Sequence, residues 1–211
     1  MKGISHARIS KKGNTMQNVL IINGSQYQRN VAEGKLTNIL IESADTFFKG
    51  RGFHVQHSVT QSAYNISKEV DKLAWADFIF FQYPTFWMGV PWITKKYIDE
   101  VFSAGQGKVT YINDGRTRSD PSKLYGTGGL MRNKKYMLSL TYNCPLSEFS
   151  SKDGFFEGLS IDEANVAVHK TLQFCGAYPL ETFSIHDIFK GDLSIEREKE
   201  RFRTHLIRNF R

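Results

Sequence analysis

NVLIIN, at Asn18–Asn23, is the stretch whose reading decides the fold. Its four consecutive apolar residues leave no polar face, so it suits a strand covered on both sides, as in a parallel sheet, and not a half-exposed antiparallel one. Beyond a polar loop, Leu36, Ile39, Leu40, Phe47 and Phe48 recur at helical spacing until Gly50 and Gly52 stop the pattern. The same alternation then runs to the carboxyl end. Phe53, Val55, His57 and Val59 alternate as a second strand, residues 66–75 carry a short helical pattern, and DFIFFQY at 77–83 forms a third strand. Pro91 suits the first turn of a helix, where a missing N–H costs nothing, and Ile93, Tyr97, Ile98, Val101 and Phe102 give that helix an apolar stripe ending at Gly105. YMLSLT at 136–141 reads as a fourth strand, 161–175 as a helix closed by Gly176, and 178–185 as a fifth strand. A last helix over 194–209 turns Ile195, Phe202, Leu206, Ile207 and Phe210 inward. Parallel neighbours need crossover connections, so this order predicts an α/β fold: a doubly wound, five-stranded parallel sheet with helices on both faces.

The chain has 211 residues, 40% hydrophobic and 23% charged, the balance of one globular domain able to fold without disulfides or metal. Its net charge of +7 invites a nucleic-acid reading. Yet Lys2, Arg8, Lys11 and Lys12 sit in a stretch without acids, and removing those four charges from +7 leaves +3. That tail has no aromatic residues between its cations and no reader motif, so no nucleic acid is expected as a partner. Residues 1–17 are expected to be a disordered basic extension ahead of one domain over 18–211. The longest strongly apolar run, 78–81, is far below the ~20 residues that span a bilayer, so no stable membrane insertion is expected. Cys144 and Cys175 form no C-x-x-C pair and the histidines no ligand pattern, so a reducing, cytoplasmic setting without a metal site is expected.

In a doubly wound sheet, ligands bind beyond the carboxyl ends of the strands, so the residues just after each strand carry the chemistry. The loop after the first strand opens a helix, where free N–H groups and the helix dipole favour a phosphate; Ser25, Gly34, Lys35 and Thr37 suit that role. No G-x-G-x-x-G and no G-x-x-x-x-G-K-[ST] directs it to the usual dinucleotide or triphosphate sites. The loop after the third strand, PTFWMGVPW at 84–92, puts Phe86, Trp87 and Met88 on a loop, where large apolar side chains mark a binding surface. A flat isoalloxazine ring matches those aromatics and finds backbone N–H donors at its edge; a plug for the sheet edge is the plainer alternative. After the fourth strand, Tyr142 and Asn143 can hydrogen-bond such a ring, and Tyr142 is the candidate catalytic donor. Cys144 has no histidine and carboxylate arrangement to activate it. In the long polar loop between Gly105 and Lys134, Arg116, Arg118 and Lys123 are candidate contacts for an adenosine phosphate. Tyr125, with Gly126, Gly128 and Gly129, suits close approach of a ligand or a neighbouring subunit.

Together, IING at 21–24, WAD at 75–77, WMGVPWITKKYID at 87–99, DGRTRSDPSK at 114–123, KKYMLSLT at 134–141 and DIFK at 187–190 resemble the modulator of drug activity B family of NADPH:quinone oxidoreductases, within the flavodoxin-like quinone reductases. The resemblance implies a flavodoxin-like fold and an NAD(P)H dehydrogenase (quinone). It implies a homodimer with one FAD per subunit, FMN being less expected. NADPH and quinone would alternate over the flavin in a two-electron, ping-pong reduction that protects against quinone toxicity or oxidative stress. The FAD contacts it implies are Ala32, Glu33, Gly34, Lys35, Leu36, Thr37, Asn38 and Ile39 at the helix opening, Thr85, Phe86, Trp87 and Met88, then Tyr125, and Thr141, Tyr142, Asn143 and Cys144. One departure stands out: AEGKLT at 32–37 replaces the Ser-Asn-Gly-Gln-Leu-Asn usual in the family. A carboxylate is a poor neighbour for a pyrophosphate, so Glu33 turns outward, Lys35 offsets it, or FAD binds more weakly. The rivals are a one-electron flavodoxin carrier, another NAD(P)H-dependent flavin reductase, and a phospho-receiver domain, which needs an Asp after the third strand where Pro84 stands.

Overall fold

The computed structural model describes residues 17–210, so the expected basic extension, apart from Gln17, lies outside the described residues. The elements follow in the order β1 (Asn18–Asn23), α1 (Lys35–Gly50), β2 (His54–Val59), α2 (Ile66–Trp75), β3 (Phe78–Pro84), α3 (Trp92–Ala104), β4 (Lys135–Thr141), α4 (Ile161–Ala164), α5 (Val166–Phe174), β5 (Tyr178–Pro179), β6 (Phe183–Ile185) and α6 (Ile195–Asn209). All strand pairs are parallel, in the spatial order β2-β1-β3-β4-β5, with β6 continuing the β5 edge along β4. This is a flavodoxin-like arrangement, with its switch point between β1 and β3.

The doubly buried strands divide their side chains by alternation. Leu20, Ile22, Ile79, Phe81, Leu138 and Leu140 face α2, α3 and α5, against Leu73, Val101 and Leu172. Val19, Ile21, Phe80 and Met137 face α1 and α6, against Leu40, Phe48, Phe202 and Leu206. Full burial of each such side chain stabilises the domain by about 1.5–3 kcal/mol before chain entropy is counted. α2 is also tied to its neighbours through Glu69, whose buried carboxylate accepts from Ser58, from the Tyr97 hydroxyl at 2.9 Å and from Lys72 at 2.6 Å. No helix among the described residues is long and apolar enough to cross a membrane.

The structure departs from the sequence expectation in four places. The fifth strand is split: Pro179 has no N–H for the ladder, Leu180 N–H still reaches Tyr136 O at 2.7 Å, and pairing resumes only at Phe183 opposite Ser139. The helix expected over 161–175 breaks at Asn165 (φ −107°, ψ 21°), whose side chain is committed to tertiary hydrogen bonds. Ile207 is 42% exposed while His205 is buried. At about 100° per residue Ile207 lies roughly 140° around α6 from Phe202, on the solvent side. Finally, the close approach suggested at Gly128 and Gly129 is to the chain itself. A Cβ on Gly129 would stand 2.3 Å from the Cys175 carbonyl carbon, and one on Gly128 would stand 2.0 Å from Asn113 O. The long loop is therefore seated on the end of α5, with Met131 N–H donating to Cys175 O at 2.7 Å.

Two histidines fold in neutral form. His205 Nε2 lies 2.8 Å from Glu181 O and so carries the proton, while Nδ1 faces Arg208 Nη2 at 3.2 Å and accepts. His186 lies between Cys144 O at 3.2 Å and Ser184 Oγ at 2.9 Å. Burial lowers both pKa values below the ordinary histidine range. A lowered folded pKa gives stability that is present above the unfolded value of about 6.5 and is lost as pH falls through it. The melting temperature is expected to hold between about pH 8 and 7 and to fall between about 7 and 5, with a shallower fall in His205→Gln. A flat profile across that window would contradict the neutral assignment.

Candidate functional site

The carboxyl ends of the central strands are locked together before the loops diverge. Gly24 N–H donates to Gln82 O at 2.7 Å, Thr85 N–H to Thr141 O at 2.9 Å, and Tyr142 N–H to Ile185 O at 2.8 Å. A Cβ on Gly24 would meet Tyr83 Cβ at 3.0 Å and Thr94 Cγ2 at 3.1 Å, so any larger residue in the turn out of β1 would have to push its neighbours aside by a few tenths of an ångström. Four loops then surround one cleft of about 640 Å³ over the switch point.

Its first wall is the β1–α1 connection. α1 starts at Gly34, which takes φ +78° and supplies no side-chain cap, whereas Asn65, Ser160 and Ser194 cap α2, α4 and α6. The first-turn N–H groups of α1 have no intrahelical acceptors, so this helix end is left ready for an anion. Ser25 is 3% exposed and its hydroxyl lies 4.0 Å from where a Cβ on Gly34 would stand. Ala32, Glu33, Lys35, Leu36 and Thr37 complete the wall. Glu33 pairs with Lys35 at 2.9 Å, and that hydrogen bond holds its carboxyl below the usual range, helped by the Asn30 N–H. Of the three expectations for Glu33, the described contacts are those of Lys35 offsetting it.

The second wall is residues 84–89. Phe86 N–H donates to Gly89 O at 2.8 Å and Gly89 N–H to Phe86 O at 3.1 Å, closing a two-residue turn on Trp87 (φ 47°) and Met88 (φ 65°). Both residues are left-handed, as in a type I′ turn, a place normally taken by Asn-Gly. Each bulky residue there costs about 1 kcal/mol or more. The strained turn holds Trp87 98% exposed at the cleft rim. Thr85, Phe86 and Trp87 border the cleft, while Met88 does not line it.

Thr141 and Asn143 border the cleft from β4, but Tyr142 between them does not. Alternation turns it to the opposite side, where it is 4% exposed and its hydroxyl accepts from Asn165 Nδ2 at 2.6 Å. Burial raises the Tyr142 pKa, and the Thr85 hydroxyl lies beside it, so Tyr142 supports the cleft wall from behind. Cys144 is half-buried, with its thiol pKa raised first by burial and then by Glu148 and Asp187, which keeps it protonated. Asn38 and Ile39 lie farther along α1, with Ile39 in the groove against α6. Tyr125 is elsewhere, against Phe174 in a groove between α3 and α5, with the Arg116 guanidinium 5.4 Å from its ring. Arg116 is held by Asp114 at 2.5 Å.

The last wall was not anticipated. Ile188, Phe189 and Leu193 follow β6, and Gln26, Gln28, Asn30 and Val31 lie on the first loop. The rule that ligands sit past the carboxyl end of each strand points to Ile188 and Phe189 once it is applied to the last strand. A groove of similar size, about 650 Å³, runs between α6 and β6, but its Arg201 is held by Ser184 O and Glu198 and its Arg208 by Glu181.

The switch-point cleft fits a flavin nucleotide. Its walls hold a buried polar atom without a protein partner, Gln26 Oε1, next to an uncapped helix start and an aromatic rim. Unpartnered buried polar groups cost about 1–3 kcal/mol each unless a ligand or water satisfies them. Among the described residues no three His, Cys, Asp or Glu side chains cluster as a metal site.

Comparison with known proteins agrees with this geometry. A family model described as flavodoxin-like fold matches residues 17–206. An uncharacterized protein of Schizosaccharomyces pombe is 40% identical over 173 residues, covering 82% of this chain and 87% of that one. NADPH:quinone oxidoreductase MdaB of Haemophilus influenzae is 36% identical over 193 residues, covering 92% of this chain and 99% of the relative. Among solved structures, the NAD(P)H:quinone oxidoreductase of Methanothermobacter marburgensis aligns with TM-score 0.65 at 13% identity, over 93% of this chain and 100% of that one. General stress protein 14 of Treponema denticola, in complex with FMN, aligns with TM-score 0.62 at 16% identity, over 91% and 98%. The chain belongs to the flavodoxin-like fold family and, within it, to the modulator of drug activity B family.

Proposed function

We propose that this protein is a flavin-dependent NAD(P)H:quinone oxidoreductase that works in the cytoplasm as a homodimer with one FAD per subunit. The observation that carries the proposal is the single cleft with an uncapped helix start at one end and a strained, fully presented Trp87 at the other. Such a cleft offers an anion seat and an aromatic platform, the two things a flavin nucleotide needs. FAD is favoured over FMN because Val31, Ile188, Phe189 and Leu193 also line the cleft, giving it apolar surface suited to an adenine. The dimer is favoured by the exposure of Leu124 and Tyr125, 76% and 69%, away from the cleft of their own chain. Tyr125 can then touch a flavin only from across a subunit interface.

A bound flavin supplies the redox chemistry, accepting hydride from NAD(P)H and passing the electron pair to a quinone. The chain's part is to position. Phe86 and Trp87 would present apolar faces to the ring, and Thr85 and Asn143 would offer polar groups near its edge. The first-turn N–H groups of α1 hold phosphate oxygens whatever the side chains nearby. A flavin held in this cleft would be open to both substrates in turn, as a ping-pong, two-electron reduction to hydroquinone requires. That outcome suits a role in defence against quinones.

Purified protein is expected to release about one FAD per chain on denaturation, identified by chromatography, and to oxidise NADPH with menadione as acceptor. A colourless protein that takes up neither FAD nor FMN ends the proposal. A yellow protein whose flavin NADPH cannot reduce would be an electron carrier instead.

A further inference from the structure

Glu33 and Lys35 are the only charged residues on the cleft wall among the described residues, and they are bound to each other at 2.9 Å. The cleft is therefore electrically closed: its one cation is occupied and its one anion stands immediately before the first turn of α1. Yet that turn is built for an anion, with no side-chain cap and with the 3%-exposed Ser25 turning its hydroxyl toward Gly34. We propose that Glu33 acts as an internal competitor of the cofactor's phosphates and sets how tightly this cleft holds a phosphorylated flavin relative to riboflavin. A phosphate arriving at the helix start meets the Glu33 carboxylate and must share Lys35 with it or displace it. The isoalloxazine and ribityl parts of the ligand carry no charge and do not feel this competition. This inference rests on the flavin reading of the cleft.

A plain structural role makes a different prediction. The Glu33 carboxylate also lies near the Asn30 backbone, which helps lower its pKa, and could help pin the turn where Gln28 N–H donates to Ala32 O at 2.8 Å. If pinning were its whole function, its loss would weaken all flavins alike.

The test uses the full chain freed of bound flavin, in four forms: the native protein, Glu33→Gln, Lys35→Gln and the double variant. Dissociation constants for FAD, FMN and riboflavin are read from flavin fluorescence, and melting temperatures confirm folding of these surface variants. Glu33→Gln keeps the side-chain shape and an acceptor oxygen near the Asn30 backbone but removes the charge. It is expected to tighten FAD and FMN by about threefold to tenfold and to leave riboflavin within about twofold. Lys35→Gln, which leaves the carboxylate alone, is expected to weaken FAD by a similar factor, and the double variant to return close to the native value. An FAD-to-riboflavin affinity ratio that Glu33→Gln leaves unchanged or lowers overturns the proposal. Failure of the native chain to bind any of the three flavins refutes the flavin reading and this inference with it.

Discussion

Asn165→Ala is expected to lower folding stability by about 3 kcal/mol, a drop in melting temperature of roughly 6–12 °C for a domain of this size. The Asn165 amide nitrogen donates to the Tyr142 hydroxyl at 2.6 Å and to Ile161 O at 2.8 Å, and its oxygen accepts from the Tyr83 hydroxyl at 3.1 Å. Tyr83 is fully buried and Tyr142 nearly so, so neither hydroxyl can turn to water when the amide is removed. Each orphaned group costs about 1–3 kcal/mol. Part of the loss is offset because alanine lets α4 and α5 join into one helix. Asn165→Asp separates the cause: it keeps the shape but has no N–H donors for Tyr142 and Ile161. A melting temperature for Asn165→Asp equal to the native one would show that donation from this side chain is unimportant. Because Tyr142 stands behind Thr85, flavin retention is expected to fall in both variants.

Trp87→Gly is expected to move stability and flavin retention in opposite directions. Glycine takes a left-handed φ without strain, so relief of Trp87 (φ 47°) stabilises the folded chain by up to about 1 kcal/mol. Little packing is lost, since Trp87 is 98% exposed. The same change removes the aromatic platform, and flavin retention is expected to fall at least about tenfold, read as the dissociation constant on the refilled protein. Trp87→Ala shares the loss of retention but gains nothing in stability, because its Cβ keeps the strain. A Trp87→Gly protein that melts lower and binds flavin normally would return this turn to the status of a structural plug.

The parallel sheet was legible because runs such as NVLIIN and DFIFFQY have no polar face, and the α1 and residue 84–89 loops because their position after a strand is itself the signal. What sequence left open is what contacts decide. The helical pattern over 161–175 could not show that Asn165 is pulled out of the helix by two distant tyrosines. Tyr142 read as a donor to the cleft, although strand alternation places it opposite Thr141 and Asn143; the same period that found the core would have turned it away. Hydrophobicity alone places Ile207 inward, yet the 3.6-residue period puts it outside and brings in His205, which serves Glu181 O.

The divided fifth position of the sheet bears on how the protein behaves at high concentration. An outer strand with a long row of free backbone groups invites strands of other molecules and seeds aggregation. Here that border is only two residues of β5 and three of β6, with the pairing interrupted between Pro179 and Phe183. Its carbonyls are stoppered from α6: Arg201 donates to Ser184 O at 2.5 Å and His205 to Glu181 O at 2.8 Å. A foreign strand finds no continuous run to extend, so the edge nearest α6 resists edge-to-edge growth in a crowded cell.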